Sequence, residues 1–331
     1  MVHEADAVFQ GGGAKGLALV GAILEFADEA RHPDSHVDRW VQVAGTSAGA
    51  IIAAYLACGH DAAETQALVA DAPYAEFEDW GPGGAVIGGG LNLLRVHGLA
   101  HGQVFHDWFQ RAIDGRTFGD LGRDGRTLKM IAADITRREM LVLPDALPSY
   151  RLAEEDGPID SDGFEVAAAV RMSMSIPYFF QPIRLIHHET GEPSTIVDGG
   201  VLSNFPVWIF DVDDREATRP TFGFKLIGGK GVGGGLARVI HTLGWAVEMG
   251  SDIFHTATDA WDKHFLSQAT AVRTCTVSAG EIGTTDFRLS DAQKGWLLDS
   301  GHEAARAFLG EWSPEEYVNR HGRKLAPASR T

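Results

Sequence analysis

The chain has 331 residues, enough to bury a large core as one or two domains. Hydrophobic residues make up 44% and charged residues 22%, an ordinary balance for a globular protein in water. The formal net charge of −17 repels nucleic acid and anionic membrane surfaces at long range, which argues against DNA or RNA binding. It leaves a lipid substrate open, because short-range apolar contact outweighs screened repulsion.

Ala5 to Gln10 reads as a short buried strand running into a glycine cluster, and small and apolar residues from Leu17 to Ala30 recur at helical spacing. Trp40 to Ala44 is a second strand. It ends in Gly45-Thr46-Ser47-Ala48-Gly49, and the apolar run from Ala50 to Ala57 that follows predicts a buried helix. A helix is expected after Asp61 and an amphipathic segment from Gln103 to Ile113. Strands are expected at Leu128 to Ile135 and at Met140 to Leu143. Residues 144–163, rich in Pro, Asp, Glu and Ser, read as a surface loop. Val166 to Met174 reads as a helix that stops before Pro177. Ser194 to Val197 reads as a strand ending at Asp198-Gly199-Gly200, and strands are expected at Phe222 to Ile227 and Arg273 to Val277, with mostly helix elsewhere. Alternating strands and helices predict an α/β fold with a largely parallel central sheet. There is no internal repeat and no clean linker.

The two cysteines, Cys58 and Cys275, share no metal-ligand or disulfide spacing and read as free thiols of a reducing compartment. The first residues are acidic and lack an apolar signal region. The apolar stretch from Val41 to Cys58 is too short and too interrupted for a membrane span. On these grounds the expected location is cytoplasmic.

Glycine is enriched: forty residues, about 12%, against a usual level near ~7%. Three glycine-marked motifs carry chemistry. Gly45-Thr46-Ser47-Ala48-Gly49 is a G-x-S-x-G at a strand-to-helix junction, which presents a serine hydroxyl at the head of a helix where developing negative charge is favoured. Gln10-Gly11-Gly12-Gly13-Ala14-Lys15-Gly16 follows the first strand, and consecutive glycines can turn several N–H groups toward one oxyanion. Gly11, Gly13 and Gly16 also satisfy G-x-G-x-x-G, the pattern of a dinucleotide-binding oxidoreductase. That alternative lacks an acid at the end of the second strand, which runs into Ala44-Gly45. Lys15 reads equally as a surface lysine, a tether for the loop or an aid to anion binding. The third motif, Asp198-Gly199-Gly200, places a carboxylate and a sharp turn at a strand end, as either a base for the serine or a simple Asx-turn.

In this order the motifs resemble the patatin-like phospholipase family: a glycine-rich oxyanion loop, a G-x-S-x-G elbow and a D-G-[GA] aspartate. The stretch from Ala169 to Pro177, the Phe180-Gln181-Pro182 run, Val201 to Pro206 and Thr284 to Asp291 are also similar to that family. The resemblance implies a three-layer α/β/α sandwich as a single domain over 1–331, with core motifs in 5–210 and a C-terminal extension, 211–331, packed on the core. It implies a Ser-Asp dyad of Ser47 (nucleophile) and Asp198 (general base), and an oxyanion hole from Gly11, Gly12 and Gly13. Gly45, Gly49, Gly199 and Gly200 support the elbow and the turn. Neither metal nor cofactor is implied. The implied substrates are phospholipids, lysophospholipids or other fatty-acyl esters, met through transient contact with a membrane surface; no nucleic-acid partner is expected.

Two further readings stay open. An α/β-hydrolase triad would draw on His241, His255, His264 or His302, which follow Asp198 in the required order. A latent or non-catalytic storage or regulatory protein would keep the fold without the reaction. Residues 81–94, with Val86, Ile87, Leu91, Leu93 and Leu94, read either as an apolar lid or as a connector on the core. Phe179 and Phe180 read as pocket wall or as core.

Overall fold

The computed structural model describes residues 3–77, 79, 98–211, 219–228, 268–284, 286 and 288–321. The candidate lid at 81–94 lies outside the described residues.

A nine-stranded mixed, mostly parallel sheet with flanking helices forms the frame. Its parallel half contains β1 (Glu4–Phe9), β2 (Arg39–Thr46), β4 (Thr127–Asp134), β10 (Thr221–Ile227) and β11 (Thr274–Ser278), in the order β11-β10-β1-β2-β4. β1 lies at the centre of this half, paired on both sides, and every residue after Glu4 is buried. Covering on both faces is what a parallel strand requires, and it explains the unbroken apolar run in place of alternation.

Beyond β4 the sheet turns antiparallel through β9 (Pro193–Asp198), β8 (Ile183–His187) and β6 (Tyr150–Arg151), while β5 (Glu139–Leu143) also pairs with β4. β6 interrupts the segment read as a surface loop. Tyr150 is buried, and its hydroxyl donates to Asp134 Oδ2 at 3.0 Å, so a tyrosine with a polar partner draws this stretch into the sheet. A separate pair joins β3 (Gly98–Ala100) to β7 (Tyr178–Phe180).

Helix α1 (Gly16–Phe26) is buried along nearly its whole length and stops sooner than the sequence periodicity suggested. Glu25, in its last turn, is fully buried and binds Arg306, His302, His32 and Arg31, so the chain leaves the helix around a charged hub. Helix α2 (Ala48–Ala57) is apolar nearly all round and packs on β1, β2 and β4. Helix α3 (Ala62–Ala70) starts at a capping box between Asp61 and Glu64. Next come α4 (Gln103–Ala112), α5 (Phe118–Arg123), α6 (Val166–Ser173), α7 (Gln268–Ala271), α8 (Asp291–Glu311) and α9 (Pro314–His321). α8 lies along α1 at very close range: a Cβ on Gly301 would stand 2.1 Å from the Ala18 carbonyl oxygen.

Candidate active site

Strand register brings the two proposed catalytic residues together. Thr46 of β2 lies opposite Ile131 of β4, and the next residue of β4, Ala132, lies opposite Asp198 of β9. Ser47 and Asp198 therefore stand at one level of the sheet, on either side of β4. β9 runs antiparallel to β4, so Asp198 arrives here at its own strand's C-terminal end.

Ser47 adopts φ 54° and ψ −124°, a left-handed backbone that a non-glycine residue seldom takes. The strain sits on the serine itself, while its flanking glycines serve another purpose. A Cβ at Gly45 would lie 2.3 Å from the Gly49 backbone, and one at Gly49 would lie 2.4 Å from the Phe9 carbonyl oxygen. The elbow is thus made by backbones in direct contact, with no room for side chains.

Two groups outside the motif hold the elbow. Ser173, at the end of α6, accepts a hydrogen bond from the Ser47 N–H at 3.1 Å and donates its own proton to the Ile131 carbonyl at 2.6 Å. Thr46 Oγ1 donates to the Ser203 carbonyl at 3.0 Å. Arg171, on the same helix as Ser173, is buried and bonded to the carbonyls of His101, Gly102 and Gln181, which ties α6 to the β3–β7 pair.

Asp198 is 1% exposed. Its Oδ1 accepts the Gly200 N–H at 2.7 Å. Burial pushes the carboxyl up to about 7, with the Gly200 amide and the Ser47 hydroxyl pulling it partly back. Oδ2 is buried without a partner of ordinary hydrogen-bond geometry among the described residues, so the contact with Ser47 is loose and an acceptor is left over beside its hydroxyl. A Cβ on Gly199 would stand 2.2 Å from the Ile131 carbonyl oxygen, which explains the need for glycine directly after the aspartate.

The first glycine loop lies next to the elbow. Gly13 has φ +56°, and a Cβ there would stand 1.9 Å from the Thr284 carbonyl oxygen. The amides of Gly12 and Gly13 have no acceptor among the described residues. Gly11 is different, and this corrects the sequence expectation: its N–H donates to the Asn204 carbonyl at 3.1 Å, so it is not available to an oxyanion. Lys15 runs past the loop, with Cε 3.7 Å from the position of a Cβ on Gly12.

A narrow pocket, partly open to solvent, begins at Gly13, Ser47 and Ala48. Ile51, Phe77, Trp108, Met174 and Phe180 are among its walls, and no charged side chain lines it among the described residues. Phe180 is thus a wall residue, and Phe179 packs edge-on behind it in the core. No described histidine lines the pocket either. His302 binds Glu25 instead, at 3.0 Å, and His241, His255 and His264 lie outside the described residues. An uncharged wall beside the glycine loop is also poorly suited to a nucleotide's phosphates.

The sequence pattern described as Patatin, patatin-like phospholipase, matches residues 7–211, a span that includes the glycine loop, the elbow and the aspartate. The chain belongs to the patatin-like phospholipase family. Membership supports a lipid acyl hydrolase in general terms. Among curated proteins, this patatin-like chain is 36% identical to the uncharacterized protein YqhO of Bacillus subtilis (strain 168) over 323 residues, covering 93% of this chain and 99% of that one. It is 24% identical over 217 residues to the uncharacterized protein R571 of Acanthamoeba polyphaga mimivirus, covering 63% of this chain and 61% of the other. Among solved structures it is similar in fold to VipD from Legionella pneumophila, with a TM-score of 0.56, 16% identity and coverage of 99% of this chain and 72% of VipD. It is also similar to the type III effector protein ExoU, with a TM-score of 0.51, 15% identity and coverage of 93% and 53%.

Sequence reasoning assigned no role to Ser173 or Asn204. Both fall in stretches that resemble the family, but a serine two residues from a second serine, and an asparagine before Phe-Pro, announce no partner. Their roles follow from which backbone groups the fold sets beside them.

Proposed function

We propose that this protein is a serine lipid acyl hydrolase of the phospholipase A or lysophospholipase type, with Ser47 as nucleophile and Asp198 as general base. The observation that carries the reading is a buried carboxyl, raised to about 7, at one sheet level with a serine held in a strained elbow.

The ester's acyl chain enters the apolar pocket, which leaves the carbonyl at Ser47. Asp198 takes the hydroxyl proton as Oγ attacks, and the amides of Gly12 and Gly13 hold the oxyanion. The alkoxide leaving group departs with the proton from Asp198. The same carboxylate then activates water to hydrolyse the acyl-serine, which returns the free enzyme and releases a fatty acid. Lys15 supports the loop through its aliphatic chain. The uncharged pocket fits a fatty-acyl chain better than a polar head group, which leaves the head group at the mouth and matches an enzyme that takes substrate from a lipid surface.

The test is labelling with a fluorophosphonate probe, mapped by mass spectrometry, alongside hydrolysis of phospholipids, lysophospholipids and neutral esters. Labelling at Ser47, with labelling and fatty-acid release both lost in Ser47→Ala, is the expected result. A folded protein that neither labels at Ser47 nor releases fatty acid above the Ser47→Ala background would overturn the reading in favour of a latent or non-catalytic family member.

A further inference from the structure

At the other end of the parallel strands, three metal-ligating side chains meet. His3 directly precedes β1, and His36 and Asp38 lie just before β2; Glu4 pairs with Arg39 where the two strands begin. One ligand atom from each of the three lies within 4.8 Å of the others. Asp38 Oδ2 is 2.8 Å from His3 Nδ1, and Asp38 Oδ1 is 3.2 Å from His36 Nε2. The two imidazoles stand edge to face, with centroids 5.5 Å apart.

The decisive detail is the other nitrogen of His36. Its Nδ1 lies 3.2 Å from the His32 carbonyl oxygen. A carbonyl can only accept, so Nδ1 carries the hydrogen. Nε2 is then the ring nitrogen turned toward Asp38 Oδ1. The backbone carbonyl behind His36 is also the kind of partner that fixes the tautomer and orientation of metal-bound histidines. His36 is buried, so its ring cannot swing away, while His3 and Asp38 are exposed and leave room for water.

We propose that His3, His36 and Asp38 bind a divalent transition-metal ion of the zinc type. Two imidazoles and one carboxylate suit zinc better than magnesium or calcium, which prefer all-oxygen sites. Ligand distances of about 2.0–2.2 Å in a tetrahedron put donor atoms roughly 3.3–3.6 Å apart, and here one ligand atom from each residue lies within 4.8 Å of the others. Water completes the coordination. β1 and β2 run from this site to the glycine loop and to Ser47 respectively, so the ion lies about 20 Å from the chemistry, the length of a six-residue strand. Its role is to fasten the start of β1 to the start of β2. The backbone already prepares this contact, since the amides of Asp38 and Arg39 both donate to the His3 carbonyl at 3.1 Å. The site was not legible from spacing, because His3 stands far from the His-x-Asp pair in sequence and Asp38 and His36 belong to no ligand motif.

The experiment uses the full-length, tag-free, metal-stripped protein. It is titrated with Co²⁺ while d–d absorption is followed, then with Zn²⁺ by calorimetry and thermal melting. His3→Ala and Asp38→Asn, both at exposed positions, serve as variants. One ion per chain, a Zn²⁺-induced rise in Tm, and an affinity weakened roughly tenfold or more in each variant are expected. Fluorophosphonate labelling of Ser47 should be unchanged by chelator. Absence of binding, or binding in both variants as tight as in the parent, would overturn the proposal and leave a hydrogen-bonded cluster that holds no metal.

Discussion

Gly11 and Asn204 hold each other through a reciprocal pair of hydrogen bonds: the Gly11 N–H donates to the Asn204 carbonyl at 3.1 Å, and Asn204 Nδ2 donates to the Gly11 carbonyl at 3.2 Å. The contact joins the glycine loop to the segment six residues beyond Asp198. It therefore sets the glycine loop, the proposed oxyanion hole, against Asp198, the proposed base. Asn204→Ala removes one of the two bonds and leaves the Gly11 carbonyl without its side-chain donor. Stability should fall by about 1 kcal/mol, the usual net worth of one hydrogen bond. The larger effect should be on kcat, because a loop displaced by a fraction of an ångström stabilises the oxyanion poorly while the acyl pocket stays intact. Steady-state kinetics on a soluble ester would show kcat down about tenfold or more with KM nearly unchanged; a change confined to KM would place Asn204 in binding instead.

Ser173 makes a comparable link beneath Ser47. Its hydroxyl joins the Ser47 amide to the Ile131 carbonyl, so Ser173→Ala leaves one buried donor and one buried acceptor without this partner. The expected cost is about 1–3 kcal/mol in urea unfolding. The strained backbone at Ser47 would also lose a restraint, and fluorophosphonate labelling should slow. A variant that labels at the wild-type rate despite lower stability would show that Ser173 supports the fold and does not position the serine.

The ionisation of Asp198 gives a stability prediction whose sign differs from that of most carboxylates. Its native carboxyl is raised to about 7 by burial, so in the native state it keeps a proton that the unfolded chain, near 3.8, has already lost. The penalty is absent below the unfolded value, grows as pH rises between the two, and is complete above about 7. Asp198→Asn removes it. The variant should gain stability relative to the parent as pH is raised from 4 to 8, toward a ceiling on the order of 4 kcal/mol, while losing catalysis. Paired denaturation curves across that range test the sign: a gap that shrinks with rising pH would contradict it. In the parent, kcat/KM should rise with pH around 7 as the base ionises.

The parts of the site that sequence made legible are those carried by contiguous residues. G-x-S-x-G places Ser47 between a strand and a helix because glycine contacts and a helix start are local facts. Asp198 was visible for the same reason. What joins them was not visible, since it depends on β4, whose Ile131 and Ala132 bear no distinguishing side chains yet supply the register. Gly11 shows the limit from the other side. Three consecutive glycines look equivalent as oxyanion donors, but only the fold shows that Asn204 has engaged one of them. The antiparallel wing likewise escaped notice at β6, where Tyr150 sits in a polar stretch and is drawn in by one distant carboxylate, Asp134.

The pocket offers a way to separate chain recognition from chemistry. Ile51 lies on α2 one turn after Ser47, is half-buried, and forms part of the wall the acyl chain would pass. Ile51→Trp places a large ring in that passage. Part of the side chain already reaches solvent, so the added bulk can be absorbed at the mouth, at a cost of about 1–3 kcal/mol if it is not. The serine, the aspartate and the glycine loop are left unaltered. Hydrolysis of long-chain esters should therefore fall by about tenfold or more in kcat/KM, while acetyl esters and small fluorophosphonates react nearly as before. A chain-length series on both proteins provides the measurement. Equal losses for acetyl and palmitoyl esters would mean that the ring disturbs the elbow, and equal retention would mean that the acyl chain leaves Ser47 by a route other than this pocket.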